Sequence, residues 1–227
     1  MVGPIALGVL PSGQAQETKA PYPAVAPIDQ YLMADRNAEI ALARSSAPEA
    51  ISRDATVLVL GKNGYETAFE GKNGFTCLVE RSWMSPFDSP EFWNPKIRGP
   101  VCYNPPAVRS ILPYTLYRTK LVLAGSARAQ MHESIVAAVA KHELPVPEPG
   151  AMSYMMAKGG YLQDGAGHWH PHLMFHIPKT DAATWGANLP GSPVVYNDEF
   201  TDMPEPEIIF LVPVGKWSDG TAAHLGK

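Results

Sequence analysis

Cysteine is scarce in this chain: its 227 residues hold only Cys77 and Cys102. Two thiols without a C-x-x-C spacing exclude a disulfide-dense scaffold and fit a redox or structural-zinc pair poorly. Charge is sparse too, at 18% of residues with a net charge of −4. Lys and Arg are scattered singly, so the basic stripe that draws a protein to nucleic acid is missing. No apolar run approaches the ~20 residues that a membrane-spanning helix needs. There is no Gly-x-Ser-x-Gly elbow. Gly61-Lys62-Asn63-Gly64 and Gly71-Lys72-Asn73-Gly74 lack the Walker spacing, so they read as turns and no nucleotide cofactor is expected.

What is present is an ordinary apolar fraction of 45% and an unusual 23 prolines. The length suits one domain with a substantial core, and the prolines predict long, stiff connections. Val2 to Leu10 is a short apolar run, followed by the small residues Ser12-Gly13-Gln14-Ala15-Gln16. Residues 1–20 thus read as a secretory signal lacking its basic start, with a plain leader as the alternative. Residues 21–227 read as a single α+β domain in a periplasmic or extracellular bacterial protein. Two cysteines in such a protein predict one disulfide, closing a loop of 102 − 77 = 25 residues and worth roughly 3 kcal/mol. The loop 77–102 is rich in Pro and aromatic residues, including Trp83, Phe87, Phe92 and Trp93.

Pattern and punctuation place the elements. Ala24 to Ser46 reads as a linker entering a helix, and Ser46-Ala47-Pro48-Glu49 as the capped start of a short one. Thr56–Leu60, Tyr65–Glu70 and Phe75–Ser82, separated by two Asn-Gly pairs, predict a three-strand antiparallel meander. Ala107–Leu123 predicts a helix broken near Pro113. A second helix, capped by Ser126, is expected to run to His142 with Met131, Ile135 and Val139 on one face. Met152–Ala157 and Tyr161–Pro178 around Gly159-Gly160 suggest a hairpin, Asp181 caps a turn to Trp185, and Ile208–Val214 is a last strand. The expected fold is therefore an antiparallel sheet, built from the meander and the later hairpin, with helices on one face.

The ordered set Asn73-Gly74-Phe75-Thr76-Cys77, Pro171-His172-Leu173-Met174 and Phe210-Leu211-Val212-Pro213-Val214 resembles a group of uncharacterised exported bacterial proteins. Those share an Asn-Gly-aromatic-Thr-Cys element, a Pro-His-aliphatic-Met element and a final strand ending Val-Pro-Val. The resemblance spans roughly residues 55 to 215. It implies export and a disulfide, and it carries no activity. His168 and His170 fall outside its pattern.

The one concentration of chemistry is Gly167-His168-Trp169-His170-Pro171-His172-Leu173-Met174-Phe175-His176. In an extended strand His168, His170, His172 and His176 share one face, with Trp169, Leu173, Phe175 and Ile177 opposite as the expected core face. Residues i and i+2 stand about 6.6 Å apart, and a first-row metal binds imidazole at ~2.0–2.1 Å. One His-x-His pair can therefore share a divalent transition metal, Zn or Cu by preference, with a further ligand such as His176, Glu66, Glu80 or Asp164. An open coordination position would support hydrolytic or oxidative chemistry on a small-molecule or polymer substrate, with Glu80 or Asp164 as base. The plainer reading makes the histidine row a polar strand face. On that reading the protein is a non-catalytic binder that uses Trp83, Trp93 and Tyr103 of the aromatic-rich loop.

Overall fold

The computed structural model describes residues 21–165, 169–196 and 203–223. Strands β1 (Thr56–Gly61) and β2 (Gly64–Phe69) form the first hairpin. Its left-handed position falls on Gly64 alone, at φ 115°, which a residue without Cβ adopts freely.

The second Asn-Gly pair does something else. Strand β3 (Thr76–Glu80) lies on the far side of β1 and runs parallel to it, pairing Thr56 with Thr76 and Val57 with Cys77. The expected meander therefore holds for its first hairpin only. The cause is a crossover at residues 70–75. Lys72 N–H donates to the Asp54 carbonyl at 2.8 Å, and the Asn73 amide donates to the Ile51 carbonyl at 2.8 Å. A Cβ on Gly71 would stand 2.2 Å from the Thr56 nitrogen. Only glycine lets the chain pass over the start of β1.

Beyond β3 every neighbour is antiparallel: β4 (Gly99–Tyr103), β5 (Met152–Met155), β6 (His172–Pro178), β8 (Glu207–Pro213) and the edge strand β7 (Val195–Tyr196). The order is β2-β1-β3-β4-β5-β6-β8-β7. The later hairpin is thus β5–β6, with a long connection. Cys77 and Cys102 face each other across β3 and β4 and are disulfide-bonded.

The helices are α1 (Arg36–Arg44), α2 (Glu49–Ser52), α3 (Pro105–Ser110), α4 (Leu112–Leu123) and α5 (Arg128–Ala140). Asp35 caps α1 through Asn37 N–H, and Asn104 caps α3 through Ala107 N–H with two prolines in the first turn, where their missing N–H groups cost nothing. Ser46 and Ser126 do not cap. The Ser46 hydroxyl donates to the Ala43 carbonyl, closing α1, and α5 starts after Ala127. The chain leaves α5 through His142 at φ 58°, with His142 N–H bonded to the Val139 carbonyl and Glu143 N–H to that of Ala138. This is a Schellman ending with histidine in the position that favours glycine.

The register sorts the side chains of β3 to β8 onto two faces. Leu78, Glu80, Tyr103, Ser153, Met155, Met174, His176 and Glu207 share one; Cys77, Val79, Cys102, Tyr154, Phe175 and Phe210 share the other. On the first face Leu78, Val101, Tyr103 and Met155 pack with Ala107, Ile111 and Leu112 of α3–α4. On the second, Val57, Cys77, Val79 and Cys102 pack with Ala43 and Ala47 at α1. Helices therefore cover both faces, not one. Eight strands exhaust their apolar surface on two sides near the middle of the sheet, and a single layer of helices would leave the disulfide face wet. Among the described residues no helix is long and apolar enough to cross a membrane.

Candidate functional site: a carboxylate-lined internal cavity

The histidine strand sits the other way round from its pattern. His176 is 2% exposed, whereas Phe175 is 36% exposed. Burying an imidazole is costly unless both nitrogens find partners, and here they do. Nδ1 lies 2.8 Å from Glu207 Oε2, and Nε2 lies 2.9 Å from Ser153 Oγ. Both partners come from neighbouring strands on the same face, so the strand can present His176 inward while Phe175 takes the opposite side.

The other histidines do not converge with it. His172 Nδ1 donates to the His170 carbonyl at 2.7 Å, and its ring stands 6.4 Å from that of Trp169. Burial holds the His172 pKa below its usual value, so the ring is neutral near pH 7. His170 is exposed, and His168 lies outside the described residues. Among the described residues no three His, Cys, Asp or Glu side chains form a group able to hold a metal. Glu66 is paired with Arg36 on the surface.

Glu80 and Asp164 have opposite surroundings. Asp164 is exposed and accepts from Lys96 Nζ at 3.1 Å and from the hydroxyls of Tyr22 and Tyr161. Chiefly through those hydroxyls, its carboxyl is held far below the usual range. It is a surface clamp on the segment carrying Tyr22, and a poor base. Glu80 Oε1 accepts from Tyr103 Oη at 2.5 Å and Thr115 Oγ1 at 3.0 Å. Desolvation nevertheless raises its pKa, outweighing those two donors and the nearby His176 and Arg118. The same burial, with Glu80 beside it, pushes Tyr103 well above its ordinary value and keeps it a donor.

The aromatic loop is interior, not surface. Trp83, Phe92, Trp93 and Tyr31 are buried together with Val122 and Met131. Trp83 Nε1 donates to Thr119 Oγ1 at 3.0 Å, and Tyr31 Oη to the Trp93 carbonyl at 2.9 Å. Of the three aromatic residues expected to bind a ligand, Tyr103 alone reaches the cavity described next.

Between the sheet and the α3–α4 junction a cavity of about 180 Å³ remains open. Met84, Met155, Met174, Met203, Ile111, Ile209 and Trp169 supply apolar wall; Glu80, Tyr103, His176, Glu205 and Glu207 supply the polar part. Trp169 reaches its place because Gly160 has no Cβ, which would stand 2.3 Å from the indole ring. Leu162, on the same lining, is 42% exposed and marks where the space nears the surface. Glu205 is held bidentately by buried Arg118, at 2.7 Å and 2.9 Å, and Arg118 also donates to the carbonyls of Trp83 and Ser85. Such a fork–fork pair fixes both groups. Two carboxylate oxygens, Glu80 Oε2 and Glu207 Oε1, have no hydrogen-bond partner among the described residues.

The chain Ser153–His176–Glu207 has the connectivity of a nucleophile, base and orienting acid. Its serine is wholly buried and is not on the cavity wall. It therefore satisfies a core histidine and does not present a nucleophile.

Sequence reasoning missed Ser153, Thr115, Arg118, Glu205 and Glu207. One signal was available: Glu207 opens a strand that is otherwise apolar through Val212, and Arg118 lies on the stripe Thr115, Thr119, Val122 that α4 buries. A charge on a buried stripe demands a partner. No protein family, curated protein or solved structure matches this chain.

Proposed function

We propose that this chain is an exported protein that binds a small, largely apolar molecule in the cavity over Glu80 and His176. One observation carries the reading: a partly open space of about 180 Å³ lies between the sheet and the α3–α4 junction. Protein interiors keep few voids larger than a water molecule, and an apolar cavity with a few convergent polar groups is the usual form of a ligand site. Four methionines in the wall, with flexible and polarisable side chains, suit a pocket that adapts to its guest. A cavity of roughly 150 Å³ accepts benzene, so a single six-membered ring with a short substituent matches the size. Export is supported by the bonded Cys77–Cys102 pair, since such bonds persist in oxidising compartments.

The test is methyl-methionine NMR with toluene as the guest. Saturable shifts of the Met155 and Met174 methyls, with Met131 unmoved, are expected. Gly99→Val fills the space: a Cβ there meets Glu80 and Met155 at ordinary distances of 3.5 Å and 3.8 Å. It should abolish the shifts without unfolding the protein. Absence of saturable shifts in the wild type would remove the reading.

A further inference from the structure

The cavity is unbalanced in charge and in hydrogen bonds. Among the described residues three carboxyl groups line it, those of Glu80, Glu205 and Glu207. Glu205 is neutralised by Arg118. Arg81, the one arginine on the lining, is turned away: its guanidinium donates to Glu39 at 2.8 Å, to the Tyr31 carbonyl at 2.7 Å and to the Val79 carbonyl. Glu207 is held by His176 Nδ1 and Glu80 by the hydroxyls of Tyr103 and Thr115, so among the described residues neither has an arginine or lysine partner. Each keeps one carboxylate oxygen without a protein partner among the described residues, and Glu207 is itself about nine-tenths buried.

A carboxyl oxygen that opens onto a cavity accepts from whatever fills it, and a charged donor there makes the stronger bond. A guest that brings a cationic donor relieves that imbalance. An anionic guest brings no donor to either oxygen, and a neutral hydrocarbon leaves both without a partner.

Resting on the small-molecule reading above, we propose that the guest is a small primary amine, an alkyl- or arylmethyl-ammonium. Its N–H groups are taken by Glu80 Oε2 and Glu207 Oε1, and its ring or chain lies against Met155, Met174, Trp169 and Ile209. Glu80 and Glu207 come from strands on opposite sides of the β6 histidine, so the head group sits over His176 and the tail points toward the Leu162 side. Tyr103 and Thr115 hold Glu80 Oε1, which leaves Oε2 free for the guest.

Four probes of nearly equal shape decide the matter: toluene, benzyl alcohol, benzylamine and benzoate, compared by calorimetry and methionine-methyl NMR at pH 7.5. Benzylamine is expected to bind about tenfold or more tighter than toluene, as charge-assisted hydrogen bonds require, with benzoate excluded. Glu80→Gln should weaken benzylamine at least several-fold more than it weakens toluene. If toluene binds and benzylamine binds no tighter, the ammonium site is overturned and the apolar cavity stands. If none of the four binds, both fall. The wild-type comparison needs no variant, so a Glu80 variant that fails to fold does not remove the test.

Discussion

The two faces of the central sheet solve the same problem by different means. Beneath α1, Val57, Cys77, Val79 and Cys102 meet Ala43 and Ala47 in a cluster of small apolar side chains bonded across β3 and β4. Beneath α3–α4, strands β3, β4, β6 and β8 present Glu80, Tyr103, His176 and Glu207 around an open space. The first face is closed by packing, a covalent bond and the buried Arg81–Glu39 pair. The second is closed by paired charges, with Arg118–Glu205 wholly inside, and stops short of filling its volume. Buried polar networks contribute little to net stability compared with apolar packing. Each face keeps a buried ion pair, so the open volume is what sets the second apart and supports the proposed ligand site there.

The largest expected effect comes from breaking the polar face. Arg118→Ala leaves Glu205 buried and unpaired, and should cost about 3–5 kcal/mol. Denaturant melts should show it, and Arg118→Met with Glu205→Met should recover much of the loss. On the packed face, replacing Cys77 and Cys102 together by Ala should cost roughly 3 kcal/mol, and should leave toluene shifts at Met174 intact in the protein that remains folded. Those two results together separate stability from binding.

A smaller effect carries a definite sign. Burial raises the Glu80 pKa in the folded protein, so the wild type bears a penalty that is absent below the unfolded carboxyl pKa. That penalty grows as pH rises through the folded value. Glu80→Gln should therefore raise Tm at pH 8 and lose that advantage near pH 4. Thermal melts across this range check it; an advantage that grows toward acid would contradict the burial argument. The smallest change lies away from both faces. His142→Gly at φ 58° should stabilise by about 0.5–1 kcal/mol, without altering any probe's affinity.

Much of the architecture was legible in the sequence because it is set by local rules. The Gly64 turn, the break between α3 and α4 at Ile111 just ahead of Pro113, the turn after Asp181 and the final strand all follow from backbone chemistry within a few residues. The second Asn-Gly misled because its backbone groups go to Asp54 and Ile51, contacts that no local pattern encodes. The histidine row misled for a related reason. Alternation correctly separated His176 from Phe175, but alternation has no sign. Which face turns inward depends on the partners available across the sheet, and Glu207 and Ser153 lie 31 and 23 residues away from His176.

The sequence by itself therefore determined the mixed α and β composition, most element positions, the single cysteine pair and the two-faced character of the strand at residues 172–178. Only the tertiary structure decided that helices cover both sheet faces and that β3 runs parallel to β1. It also decided that Glu80, His176 and Glu207 meet around a cavity while the loop aromatics become core. Local sequence fixes dihedral preference and periodicity within a few residues; burial and charge pairing are properties of groups brought together from distant parts of the chain.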